Sequence, residues 1–119
     1  MHNDKDIAPI EIDLTAGKNG LVNEIWLQMF ATAVKQIMRT MFGGGGIPVS
    51  IKGSKSEISA FAKTLARDKK YVKSAARHGL TDPRVLKDKY KLRKAAAQFK
   101  RETGIDYPCL LYTSPSPRD

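Results

Sequence analysis

The stretch that decides the fold is MFGGGGIPVSIKGSKSE, residues 41–57, which sets four glycines, a short β-like run and Gly-Ser-Lys-Ser side by side. A phosphate-cradling loop of the Walker type needs Gly, four residues and then Gly-Lys-Ser/Thr, so that amides curl round the phosphates while the lysine reaches them. Here Ser54 separates Gly53 from Lys55, and Pro48 stands where the first glycine would be. The spacing fails, and the stretch reads as punctuation between a helix, a strand and another helix. Gly43 to Gly46 end the first helix, because glycine weakens a helix interior and readily takes the left-handed conformation past its end. They form a connector, with a hinge or a close backbone contact as the sharper use. IPVSIKG then alternates as a strand, Val49 and Ile51 on one face and Ser50 and Lys52 on the other, with Pro48 confined to its start or to an edge. Ser54 and Glu57 have the spacing of a capping box opening the next helix. The same helix start, Gly53, Ser54, Lys55 and Ser56, is also a candidate anion site, since free amides and the helix dipole collect there. Capping is the simpler of the two readings.

Working upstream, IEIDL at residues 10–14 alternates Ile10, Ile12 and Leu14 with Glu11 and Asp13, the period of a half-buried strand. TAGKNG supplies turn residues. Apolar positions 22, 25, 26, 29, 30, 33, 34, 37, 38 and 41 then fall at helical spacing over residues 21–42. This face is broad enough, with Trp26, Met29, Phe30, Ile37, Met38 and Met41, to meet a sheet on one side and a helix or second subunit on the other. Downstream, the helix opened by Ser54 carries Ile58, Phe61, Ala62, Leu65, Val72, Ala75 and Ala76 as its buried stripe and closes at Gly79. Thr81 or Asp82 caps a last helix with Pro83 in its first turn. That helix buries Val85, Leu86, Leu92, Ala96 and Phe99 and stops at Gly104, where Ile105 can fold back on it.

The predicted order is strand, helix, strand, helix, helix: a small, helix-dominated α/β domain over residues 10–108, with a disordered terminus at 1–9. A strand joined to the next through a crossover helix is most simply parallel and right-handed. Two short strands are weak alone, so either the helices carry the core or the sheet continues across a homodimer. At 119 residues, with 41% apolar and 28% charged residues, the composition is that of one globular domain. No apolar run approaches the roughly 18 residues of a membrane span. The start, MHNDKDIAP, lacks the basic and apolar regions of a secretory signal, so the expected location is the cytoplasm.

Charge is the functional clue. The formal net charge is +9, and residues 55–108 hold 15 Lys/Arg against 6 Asp/Glu, which accounts for the whole excess. Such asymmetry points to a polyanionic partner, or to nothing more than a well-solvated surface. On the second helix Lys63, Arg67, Lys70 and Arg77 share a face; on the last, Arg84, Lys87, Lys91, Lys94 and Arg101 do the same. Two positive stripes on consecutive helices could bracket a phosphate backbone, giving sequence-neutral, salt-dependent binding. Catalytic candidates are sparse. His2 and His78 are the two histidines, His78 being placed to complement a helix C-terminus. Glu11 and Asp13 share the outer face of the first strand but have no third ligand or helper base. No catalytic residue, metal site or cofactor is predicted, and the single cysteine, Cys109, excludes a disulfide framework.

The ending PCLLYTSPSPRD breaks with the Lys-rich helical sequence before it. CLLYTSPSPRD resembles the translated sequencing-adapter read-through that terminates many metagenomic reading frames, so residues 109–119 are expected to be a non-native or disordered tail. Over residues 10–108, IEIDLT, PVSIKGSKSEISAFAKTL, KKYVKSAARHGLTDP and FKRETGIDYP resemble small uncharacterised proteins of tailed phages infecting marine bacteria, including cyanobacteria. The resemblance brings no assigned activity and no site residue. It implies an accessory role in the host cytoplasm or the virion: a nucleic-acid-associated protein, or a module binding a host or phage protein through the apolar first helix. A non-enzymatic, sequence-neutral nucleic-acid binder is the expectation that best joins this setting to the basic helices, with no membrane role.

Overall fold

Residues 10–14 do not stay a strand to their end, because Asp13 turns on its own backbone. Its Oδ1 accepts from the Thr15 amide at 3.0 Å and the Thr15 hydroxyl at 2.6 Å, so β1 (Ile10–Asp13) gives way to a 3-10 turn, Leu14–Gly17. A computed structural model describes residues 9–108. Apart from Pro9, the expectations for the two termini lie outside them. After β1 come α1 (Glu24–Met41), β2 (Val49–Lys52), α2 (Lys55–His78) and α3 (Pro83–Thr103). The strands pair in parallel with Ile10 opposite Val49 and Ile12 opposite Ile51, forming one two-stranded sheet. The small α/β domain dominated by helices is what the sequence led one to expect.

The helices carry the core. Phe30 from α1, Phe61 from α2 and Phe99 from α3 are buried and mutually in contact, ring centroids 5.7–6.0 Å apart. Ile12 and Leu14 join them from the strand side, and Val34, Leu65, Val85 and Leu92 from the helices. Burying side chains of this size is worth about 1.5–3 kcal/mol each, which is why three helices can support a sheet too small to stand alone.

The helix starts follow their caps. Asn23 Oδ1 accepts from the Trp26 amide at 2.8 Å and sets α1 to begin at Glu24, later than the apolar period suggests. Asp82 caps α3 with Pro83 in its first turn. Gly104, at φ 78°, ends α3 in the left-handed conformation, and Ile105 folds back and is fully buried. The glycine connector makes a close backbone contact: the Gly44 amide donates to Arg39 O at 2.8 Å, and Gln36 Oε1 accepts from the Ile47 amide at 3.0 Å.

Several core positions differ from those expected. Along α2 the buried line is Glu57, Ala60, Phe61, Thr64, Leu65, Asp68 and Tyr71, whereas Ile58, Ala62 and Ala76 face solvent. On α3, Leu86 is exposed while Ala95 and Thr103 are buried. On α1, Phe30 is buried and Trp26 half-buried against it, ring centroids 5.3 Å apart, so Ile25 and Met29 are what the broad face leaves outside.

Candidate nucleic-acid interface

Four residues join α2 to α3, and the facing of Thr64 with Ala95 and of Lys63 and Arg67 with Lys91 to Arg101 shows the two helices pairing antiparallel, brought close by small side chains. Thr64 is the clearest contact. Its hydroxyl lies 2.8 Å from Ala60 O on its own helix and 3.2 Å from Ala95 O across the hairpin. Lys63 and Arg67 flank Thr64 on the solvent side, while Lys91 and Lys94 lead up to Ala95.

The result is a cavity of about 310 Å³ between the helices, lined by Lys63 and Arg67 of α2 and by Lys91, Lys94 and Arg101 of α3, with Ala95 and Gln98. Five of the nine cations expected on the two stripes thus converge on one groove. Among the described residues none of these five is paired with a carboxylate, and Lys94 Nζ rests 5.6 Å from the centre of the Tyr90 ring. Cations held together without counter-charges raise the local positive potential and attract anions.

The other expected cations are placed differently. Lys70 and Arg77 line a neighbouring cavity of about 430 Å³ together with Lys69 and Lys73, where the Asp88 carboxylate dilutes the positive field. Lys87 is exposed one turn before Lys91 and lines neither cavity. Arg84 is diverted altogether: its Nε and Nη2 donate to the two oxygens of Asp82 at 3.0 and 2.9 Å. These hydrogen bonds hold the Asp82 carboxyl well below its ordinary range and raise the guanidinium in turn. Gln98 was missed by a search for charge alone, although it keeps the same spacing, four after Lys94 and three before Arg101.

The expected anion site at Gly53, Ser54, Lys55 and Ser56 is filled by the chain's own carboxylate. Ser54 and Glu57 form the complete capping box, with Glu57 Oε1 accepting from the Ser54 amide at 2.8 Å and Ser54 Oγ accepting from the Glu57 amide at 3.2 Å. Glu57 is buried, and Lys18 Nζ approaches its other oxygen to 3.4 Å. An incoming phosphate would have to displace that carboxylate.

On the strands, Glu11 lies 4.0 Å from Lys52 and Asp13 is engaged by Thr15. No group of three or more His, Cys, Asp or Glu able to hold a metal occurs among the described residues, and no helix there is long and apolar enough to cross a membrane. Compared with known proteins, the chain matches no family model, no curated protein and no solved structure.

Proposed function

We propose that this domain binds the phosphate backbone of nucleic acid in the groove between α2 and α3, without reading sequence and without catalysing a reaction. The observation that carries the reading is the convergence of Lys63, Arg67, Lys91, Lys94 and Arg101 on one groove with no carboxylate among its lining residues. Each cation placed on a phosphate releases a counterion and adds affinity whatever the bases are. A phage accessory protein acting in the host cytoplasm is the setting that fits.

Binding of labelled DNA and RNA to the protein across a salt series tests it. With all five groove cations on phosphates, log K falls against log salt with a slope of about −4.5 on DNA duplex. Absent or marginal binding at physiological salt would leave the charge as a solubilising surface.

One observation favours a second reading, an interaction module. Ile25 is 70% and Met29 46% exposed, and both line a cavity of about 450 Å³ with Pro9 and Ile10 at the start of β1. Exposed apolar groups gathered in this way mark protein-contact surfaces. Self-association is the simplest form, and sedimentation of the protein and of Ile25→Asp tests it: a dimer lost in the variant supports a protein interface there.

A further inference from the structure

The shape of the basic surface narrows the partner. Along α2, Lys63 and Arg77, which line the groove and its neighbouring cavity, are fourteen residues apart, and along α3 the groove cations Lys91 and Arg101 are ten apart, so the rows are about 21 and 15 Å long at the helical rise. The rows run antiparallel, and packed helices hold their axes about 8–10 Å apart. A single strand has one line of phosphates and can follow one row; a duplex presents two lines across a groove and can satisfy both.

The aromatic inventory points the same way. Proteins that hold single strands stack bases on exposed rings. Here Phe30, Phe61, Phe99, Tyr71 and Tyr107 are buried, and Trp26 stacks on Phe30. Tyr90 and Phe42 are exposed, yet each ring carries an ammonium over it, Lys94 at 5.6 Å and Lys69 at 5.9 Å from the ring centre. A base would have to displace a lysine to stack on either.

We infer that the α2–α3 hairpin takes double-stranded nucleic acid, one row of cations on each phosphate strand, over about four base pairs at 3.4 Å per pair. This rests on the nucleic-acid reading above and adds strandedness to it. The shared chemistry is the pair of phosphate lines, which DNA and RNA duplexes both offer.

The test measures anisotropy of labelled DNA and RNA duplexes, and of each of their single strands, with the full chain at matched salt. At least one duplex should bind about tenfold or more tightly than its own strands, since no unoccupied stacking ring is found among the described residues and two rows are engaged. Charge density alone favours any duplex, so the rows are then tested separately with Lys63→Gln/Lys70→Gln and Lys91→Gln/Lys94→Gln. Each pair should lose about tenfold on duplex and less than about threefold on single strands, because the other row still serves one strand. Equal affinity for strand and duplex overturns the inference while leaving the nucleic-acid reading standing, and so do equal losses on both ligands in the variants. If neither duplex nor strand binds at physiological salt, the reading itself fails. Preference for one kind of duplex supports the inference and identifies the ligand. All four lysines lie away from the core, Lys91 partly shielded and the others exposed, and melting curves verify folding. The wild-type comparison stands independently of the variants.

Discussion

The Tyr107 hydroxyl donates to Asp68 Oδ2 at 2.8 Å, a buried hydrogen bond that spans 39 residues and fastens the segment after α3 to the middle of α2. Tyr107 also meets Phe99 edge-on at 6.2 Å and lies 6.3 Å from Phe61, so the same ring closes the end of the core. Tyr107→Phe keeps the ring and removes the bond, with an expected cost of about 1–2 kcal/mol. Tyr107→Ala should cost about 3 kcal/mol or more, because a cavity opens against the phenylalanines. Urea unfolding of both variants checks the order. Equal losses would show that the hydrogen bond, not the packing of the ring, holds the segment.

A second prediction concerns pH. Acceptance of the Ser54 amide hydrogen bond holds the Glu57 carboxyl below its ordinary value, outweighing burial, which acts in the opposite direction. A carboxyl with a lowered folded value contributes stability in full above its unfolded value, near 4.5, and loses it as pH falls through the folded value. Glu57→Gln should therefore flatten part of the acid limb of the stability curve below about pH 4.5. Ser54→Ala should cost about 1 kcal/mol at neutral pH by removing the other half of the box. Acid titrations of unfolding free energy for wild type and Glu57→Gln decide it: superimposable slopes would mean the carboxylate is no better held in the folded chain.

Gly17 gives a third. A Cβ there would fall on the Thr103 carbonyl oxygen and 2.9 Å from Ile105 Cγ1, so the 3-10 turn approaches the end of α3 more closely than any side chain permits. The obstacle is backbone, which cannot swing aside. Gly17→Ala should cost at least about 1–3 kcal/mol, the range for overpacking. Gly45→Ala, where nothing lies within 4 Å, is its control and should change little in a thermal melt.

Element order, parallel pairing and the ends at Gly79 and Gly104 were legible because apolar periods and caps are local signals. The strand's early end at Asp13 was not. A side chain bonding its own backbone competes with the ladder, and the alternation of Ile10, Ile12 and Leu14 conceals that. The rotated face of α2 has another cause: Thr64, Asp68 and Tyr71 are buried because partners such as Ala95 O and the Tyr107 hydroxyl await them, and those partners lie far along the chain. In the candidate site, periodicity identified each basic stripe separately. It could not tell that Lys63 and Arg67 would meet Lys91, Lys94 and Arg101, nor that Arg84 would turn back to Asp82 two residues away.

That placement yields the final prediction. Five like charges lining one groove repel one another, so the groove should reduce stability at low salt, and added salt should relieve it. Lys91→Gln/Lys94→Gln should raise stability by a few tenths of a kcal/mol at low ionic strength, in line with the size of exposed charge-pair effects. The same change should weaken nucleic-acid binding, and Lys87→Glu/Lys91→Glu/Lys94→Glu should abolish it with the fold intact. Arg84→Gln discriminates among cations. Its guanidinium is held by Asp82 outside the groove, so binding should change far less than with Lys91→Gln/Lys94→Gln. Melting temperatures at low and high salt, measured beside binding isotherms, test both halves. Should neutralising the groove destabilise the fold instead, the lysines are holding the helices together rather than waiting for phosphate, because relief of repulsion can only act in the opposite direction.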